Sequence, residues 1–289
     1  MSTQTVLFDE LGPRGKKRVR IGTYIGALLV AILIALAGLQ LYNEGQLEPE
    51  RWEILINPDS GVPQGLTRAL FATLRVALIA MVISMILGTL LSAGRLSEHR
   101  WVRIPTTFIV QFFRGIPLLL LIFFSYLALP RLGISLDLFW TLIVGLTAYN
   151  MAVLGEIFRA GILSIDKGQS EAAYAIGMRK SQVMVFVLVP QAVRRMLPAI
   201  VSQLVTLLKD TSLGFVIGYF ELLRQGRAYV DYFGAKFGLQ IYVAVALFYI
   251  LTNLALSSFA RWLEKRSRSN PKATKALGQL VEDDIVPID

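Results

Sequence analysis

Arg75, Arg114, Glu156 and the neighbours Lys209 and Asp210 stand inside stretches that are otherwise apolar. An ionisable group at the centre of a bilayer costs at least ~2.5 kcal/mol, so such groups turn toward a protein interior or an aqueous path. The chemistry they point to is passage of a polar solute. Bond-making chemistry has little to draw on. There is no Cys and the single His is His99, so a metal site or a nucleophilic triad is very hard to assemble. The chain contains neither a G-x-x-x-x-G-K-[ST] phosphate loop nor a G-x-G-x-x-G turn. Energy-requiring work would therefore need a nucleotide handled by another subunit.

Each of these residues also has a plainer reading. Arg75 is followed by 19 uncharged residues, enough for a span by themselves, so it is equally placed to snorkel to the outer interface. Lys209 and Asp210 are adjacent and able to form a local pair. Glu156 lies near the inner end of its apolar run, where water can solvate it. Arg114 is harder to place in this way. Gly115 and Pro117 beside it predict an irregular helix, which lipid tolerates mainly where the backbone lines a cavity.

The elements that must hold these groups are helices in a membrane. The 289 residues are 55% hydrophobic and 17% charged, with a mean hydropathy of +0.58; soluble domains carry about 25% charged residues. Runs long enough to span lie at Ile21–Tyr42, Thr67–Gly94, Pro105–Pro130, Leu138–Gly161, Met196–Phe220 and Phe237–Ala260. The fold class is all-α, a polytopic membrane helical bundle of six predicted transmembrane helices. A cleaved signal peptide competes for the first run, where Ala35-Leu36-Ala37 offers a cleavage pattern. The long basic leader and the length of the run favour a retained span.

Basic residues test the topology. On an N-in, C-in arrangement the cytoplasmic segments hold 20 Lys and Arg and the opposite side six, the asymmetry expected of the positive-inside rule. That arrangement also accounts for the net charge of +9, since the basic residues are spread among loops without the interleaved aromatics of a nucleic-acid surface. Residues 1–20 then form a basic cytoplasmic N-terminus, and the polar segment 264–289 reads as a mostly mobile cytoplasmic tail. Gly22-x-x-x-Gly26 and Gly214-x-x-x-Gly218 match a helix-packing motif that is common by chance in apolar sequence.

The longest internal loop, 162–195, is then cytoplasmic. Asp166 and Gln169 resemble a capping box, predicting a helix from Lys167 to Ile176 with Gly177 as its left-handed stop. Ala172 and Ala173 carry almost no side chain, so another protein's surface can approach the backbone. Alternation of Val183, Val185, Val187 and Val189 suggests a strand, but Met184, Phe186 and Leu188 leave it no polar face. A helix re-entering the membrane, stopped or kinked at Pro190, fits the same residues.

Glu171-Ala172-Ala173, then Gly177, then Val187-x-Val189-Pro190 resembles the EAA loop of ATP-binding-cassette importer permeases, with Val in place of Ile and Leu at two positions. Arg114-Gly115-Ile116-Pro117-Leu118-Leu119 and Leu208-Lys209-Asp210-Thr211-Ser212-Leu213 resemble further signatures of the polar amino-acid branch. The resemblance covers about residues 65–265 and looks closest to glutamate-uptake permeases of actinobacteria. It implies a five-helix type I core over 65–263, preceded by an extra helix over 21–42, in a bacterial plasma membrane. Glu171, Ala172, Ala173, Gly177 and Pro190 would couple the core to ATPases. The implied partners are a second, paralogous permease, two ATPase subunits that bind ATP and Mg, and an extracytoplasmic amino-acid-binding protein; the chain itself implies no cofactor.

An amino acid needs a cation for its carboxylate and an acid or carbonyl for its ammonium. Arg75, Arg114 and Lys209 suit the first need, and Glu156, Asp210 and Asn150 the second; Thr211 and Ser212 belong to the same motif as Lys209. The balance leans toward an acidic substrate without deciding it. Other polar amino acids (glutamine, arginine, histidine) remain open, as does a stand-alone secondary transporter, for which no internal repeat is evident.

Overall fold

Proline, glycine and acidic caps set where each helix begins. The computed structural model describes residues 12–267, and every regular element within them is helical: α1 (Pro13–Asn43), α2 (Pro49–Trp52), α3 (Val62–Arg95), α4 (Arg100–Gly115), α5 (Leu118–Leu127), α6 (Leu138–Leu163), α7 (Lys167–Ala175), α8 (Lys180–Gln182), α9 (Val189–Asp210), α10 (Gly214–Ile217), α11 (Leu222–Phe233) and α12 (Gly238–Ser267). Among the described residues five helical stretches are long and apolar enough to cross a membrane, six if the bent pair α4–α5 counts as one.

Pro63 sits in the first turn of α3, where its missing N–H is no loss, and the Asp137 carboxylate caps α6 by accepting from the Trp140 N–H at 2.9 Å. The expected continuous third span is broken instead. α4 and α5 meet at 98°, because Ile116 before Pro117 is pushed into an extended conformation (φ −94°, ψ 131°). The irregularity predicted at Gly115 and Pro117 is thus a true break.

The fifth span differs in another way. Its helical stretch runs from Lys180 to Ile217, well before the expected start at Met196, and Val183–Leu188 is a π-helix. Of the two readings of the valine run, helix holds. Pro190 offers no N–H to the Phe186 carbonyl and would crowd it in an α-helix; the wider π turn relieves that conflict, so Pro190 neither stops nor sharply kinks the chain. At the other end Thr211–Leu213 tightens into a 3-10 turn, and Gly218 (φ +86°) terminates α10 in the left-handed region. Gly214 lies against the Leu142 side chain within the same chain, so Gly214 is a packing point and Gly218 a cap.

The core lies between α3 and α6. Val76, Ala77 and Ala80 meet Leu142, Leu146 and Leu154, with Ile122 of α5 and Leu207 of α9 closing the cluster. Small residues permit this approach. A Cβ on Gly88 would stand 3.0 Å from the Gly155 nitrogen and the Met151 carbonyl oxygen, and one on Gly145 would stand 2.8 Å from the Ile122 Cα. A second cluster joins Val62, Leu66 and Ala69 to Leu222, Ala244 and Val245.

At the termini the described helices overrun the expected boundaries. Arg14 to Arg20 form the first turns of α1 rather than a separate segment, and α12 continues into the expected tail as far as Ser267. Residues 1–11 and 268–289 lie outside the described residues. No residue of α1 is buried.

Gly88→Val is expected to lower the thermal stability of the detergent-solubilised protein by about 1–3 kcal/mol, the range for overpacking a core. Gly22→Ala, where nothing lies within 4 Å, should leave the melting curve unchanged.

Candidate functional site

The loop helix α7 is fastened at both ends. At its start the Asp166 carboxylate accepts from the Gly168 N–H at 2.7 Å. Gln169 does not close the box; its side-chain oxygen accepts from Gln191 at 3.2 Å, tying α7 to α9. At its end Gly177 takes φ +82°. Its N–H bonds the Tyr174 carbonyl at 2.9 Å, and the Met178 N–H bonds that of Ala173 at 3.2 Å, a Schellman closure.

Burial corrects the expected docking face. Ala173 is 6% exposed and is spent on packing within the chain, so it presents no surface to a partner. Glu171 and Ala172 are exposed as expected, and beside them stand Tyr174 at 48% and Ile176 at 80% exposure. Two large side chains on a helix otherwise made of small and polar residues offer anchors for a concave partner surface.

Further contacts connect this loop to the spans. The Arg195 guanidinium donates to the Ser164 carbonyl, joining α9 to the end of α6. Lys180 pairs with Glu98 in the turn between α3 and α4. That ammonium holds the Glu98 carboxyl below the usual carboxylate range; the pair persists at neutral pH and is lost as pH falls through the lowered value.

Glu156 is not simply solvated. Its carboxylate receives Arg95 of α3, Arg114 of α4 at 3.2 Å and Arg159 of α6 at 2.7 Å. The Arg95 side chain is 8% exposed and Glu156 22%, so this pair is largely enclosed, while Arg159 at 31% and Arg114 at 41% form the open side of the cluster. Arg114 is thereby committed to Glu156 rather than standing free beside the helix break. The i, i+3 spacing of Glu156 and Arg159 was visible in the sequence; the contribution of Arg95, from 61 positions away, had no local signal.

The other candidate residues are dispersed. Asn150 is fully buried, donating to the Leu146 carbonyl at 2.8 Å and accepting from Gln203 at 2.7 Å, which bridges α6 to α9. Lys209 and Asp210 make no ion pair among the described residues. Lys209 and Ser212 instead line a groove of about 660 Å³ with Tyr249 and Asn253 of α12. Thr211 turns inward, fully buried, with its hydroxyl donating to the Leu208 carbonyl at 2.6 Å. Arg75 pairs with no acid among the described residues; it is exposed, and its guanidinium carbon lies 4.5 Å from the centre of the Phe139 ring.

Sequence reasoning missed Glu221. Fully buried, it caps α11 by accepting from the Leu223 and Arg224 N–H groups at 2.8 and 2.7 Å and takes the Tyr249 hydroxyl at 2.8 Å. Glu is not one of the favoured N-cap residues, so the sequence carried no local signal for this role.

The fold is a polytopic all-helical membrane bundle with one broken span and a loop helix presented outside it. Residues 80–269 match the family of binding-protein-dependent transport system inner membrane components, and the chain belongs to that family. It is similar to the glutamate transport system permease protein GluD of Corynebacterium glutamicum, 39% identical over 236 residues that cover 79% of this chain and 84% of that one. The probable glutamine ABC transporter permease protein GlnP of Bacillus subtilis is 42% identical over 200 residues, 67% of this chain and 89% of that one. Among solved structures, an amino acid ABC transporter crystallised with histidines superposes with a TM-score of 0.66 at 27% identity, covering 71% of this chain and 94% of that one.

Removing the Glu156 charge should be costly because Arg95 would remain enclosed and unpaired. Glu156→Gln is expected to destabilise the solubilised protein by about 3 kcal/mol. Adding Arg95→Met should recover most of the loss in the same thermal melt.

Proposed function

We propose that this chain is the membrane permease of an ATP-driven importer of polar amino acids, with glutamate as its substrate. It forms part of the translocation path and couples it to cytoplasmic ATPases through α7. Membership of the binding-protein-dependent family supports the class. The observation that carries the coupling role is α7 itself, an exposed helix capped at both ends within the EAA-type loop.

The mechanism follows from the fastenings. A push on Glu171, Ala172, Tyr174 and Ile176 cannot be absorbed by fraying of α7, because both its ends are closed. Displacement passes into α9 through the Gln169–Gln191 bond and into the end of α6 through Arg195 and Ser164. It also reaches the α3–α4 turn through Lys180 and Glu98. The Asn150–Gln203 bond keeps α6 and α9 together deeper in the bundle. ATP and Mg are bound by the partner ATPases, and this chain supplies no hydrolytic step of its own.

The other partners in this reading are a second, paralogous permease and an extracytoplasmic amino-acid-binding protein. The chain sits in a bacterial plasma membrane with both ends in the cytoplasm, as the basic residues distribute. Similarity to a glutamate permease favours glutamate, while similarity to a glutamine permease makes glutamine the competing substrate.

Glu171→Lys is expected to abolish uptake and recovery of the ATPases with the affinity-purified permease while leaving membrane insertion intact. Gly177→Val, which forces a β-branched side chain into φ +82°, should weaken both by straining the loop. Transport by the purified permease alone, driven by an ion gradient, would overturn the proposal in favour of a secondary transporter.

A further inference from the structure

At the end of the bundle opposite α7, two arginines lie over aromatic rings and a third lines a cavity beside them, with no carboxylate paired to any. Arg68 and Arg75 are seven residues apart on α3, two helical turns or about 10 Å, and both are exposed on the same face. Arg68 lines a cavity of about 590 Å³ together with Phe220, Gln225 and Tyr229. Arg224 of α11 holds its guanidinium carbon 5.7 Å from the centre of that same Phe220 ring and 5.5 Å from that of Phe215. Its Nε is buried without a hydrogen-bond partner. Arg75 lies over Phe139, whose ring centre is 6.3 Å from that of Tyr219, the residue before Phe220.

None of the three arginines makes an ion pair among the described residues. Acids are near at hand but already engaged. Glu221, beside Phe220, is saturated by two backbone N–H groups and the Tyr249 hydroxyl. Asp137 caps α6 through the Trp140 N–H. Arg75 and Arg224, each beside a ring, keep guanidinium N–H groups that make no ion pair and can receive a carboxylate in bidentate fashion. The buried Arg224 Nε, left without a partner, is unfavourable unless an acceptor completes it.

We infer that Arg68, Arg75 and Arg224 form an anion-recognition wall at the mouth of the path, which selects amino acids carrying a second carboxylate over their neutral amides. The inference rests on the reading of this chain as an amino-acid permease and adds Arg68 and Arg224 to the residues that discriminate substrate. One charge-assisted hydrogen bond contributes about 1.5–3 kcal/mol, so loss of one or two corresponds to a discrimination of tenfold or more.

The test uses the complete transporter, with ATPases and binding protein, in proteoliposomes supplied with labelled glutamate or glutamine. Arg75→Gln/Arg224→Gln is expected to lower glutamate uptake roughly tenfold or more, chiefly through KM, without a matching loss for glutamine. Arg68→Gln should act in the same direction. Arg75→Lys/Arg224→Lys should restore part of the glutamate uptake, and Arg131→Gln, in an exposed loop between α5 and α6, should change nothing. Equal losses for both amino acids, unaltered glutamate uptake, or wild-type transport of glutamine with no glutamate would each overturn the inference. So would a defect that vanishes in vesicles of phosphatidylcholine alone, which would assign the arginines to an anionic lipid headgroup. A wild-type complex that moves no amino acid would overturn the underlying reading instead.

Discussion

Charge enclosed among apolar helices has to be answered by another charge, and Glu156 is where this chain meets that demand. One carboxylate takes guanidinium groups from α3, α4 and α6. Lone, it would be strongly disfavoured by desolvation; surrounded, it joins α6 to the consecutive helices α3 and α4, which end more than 20 residues before α6 begins. The cluster lies at the end of α3, near the Gly88–Gly155 approach. Close packing and ion pairing therefore act at the same end of the same helix pair, and α4 can bend away sharply at Pro117 while its last turn stays anchored through Arg114.

That anchoring gives the loop helix something firm to act on. α7 is short, and a helix of its length is marginal in water unless its ends and one face are held. The Asp166 cap, the Gly177 closure and the packing of Ala173 supply this. The burial of Ala173 shows that the two alanines of the motif have different tasks. One seats the helix on its own chain, and the other remains on the exposed side with Glu171.

The two ends of the bundle treat arginine differently. At the α7 end Arg95, Arg114 and Arg159 share a carboxylate; at the opposite end Arg68, Arg75 and Arg224 meet rings or a cavity, while the nearby acids serve as helix caps. The same residue type thus builds a fastening at one end and a set of free donors at the other, according to whether acids are available to pair.

Much of this was legible in the chain. Apolar run lengths announced the spans, Gly115 and Pro117 announced the break, and Asp166 and Gly177 bracketed the loop helix, because each depends on local sterics, caps or transfer of a contiguous segment into lipid. The valine run was ambiguous since apolar residues on every side carry no period, and the π turn that accommodates Pro190 became apparent in the folded backbone. Which charges pair was decided by tertiary structure. Arg95 reaches Glu156 across 61 positions, Gln203 finds Asn150 across 53, and Glu221 meets Tyr249 across 28. The sequence by itself determined that these groups are too polar to face lipid. Pairing is a matter of distance in space, so helix packing alone could say which of them are satisfied and which are left open to a ligand.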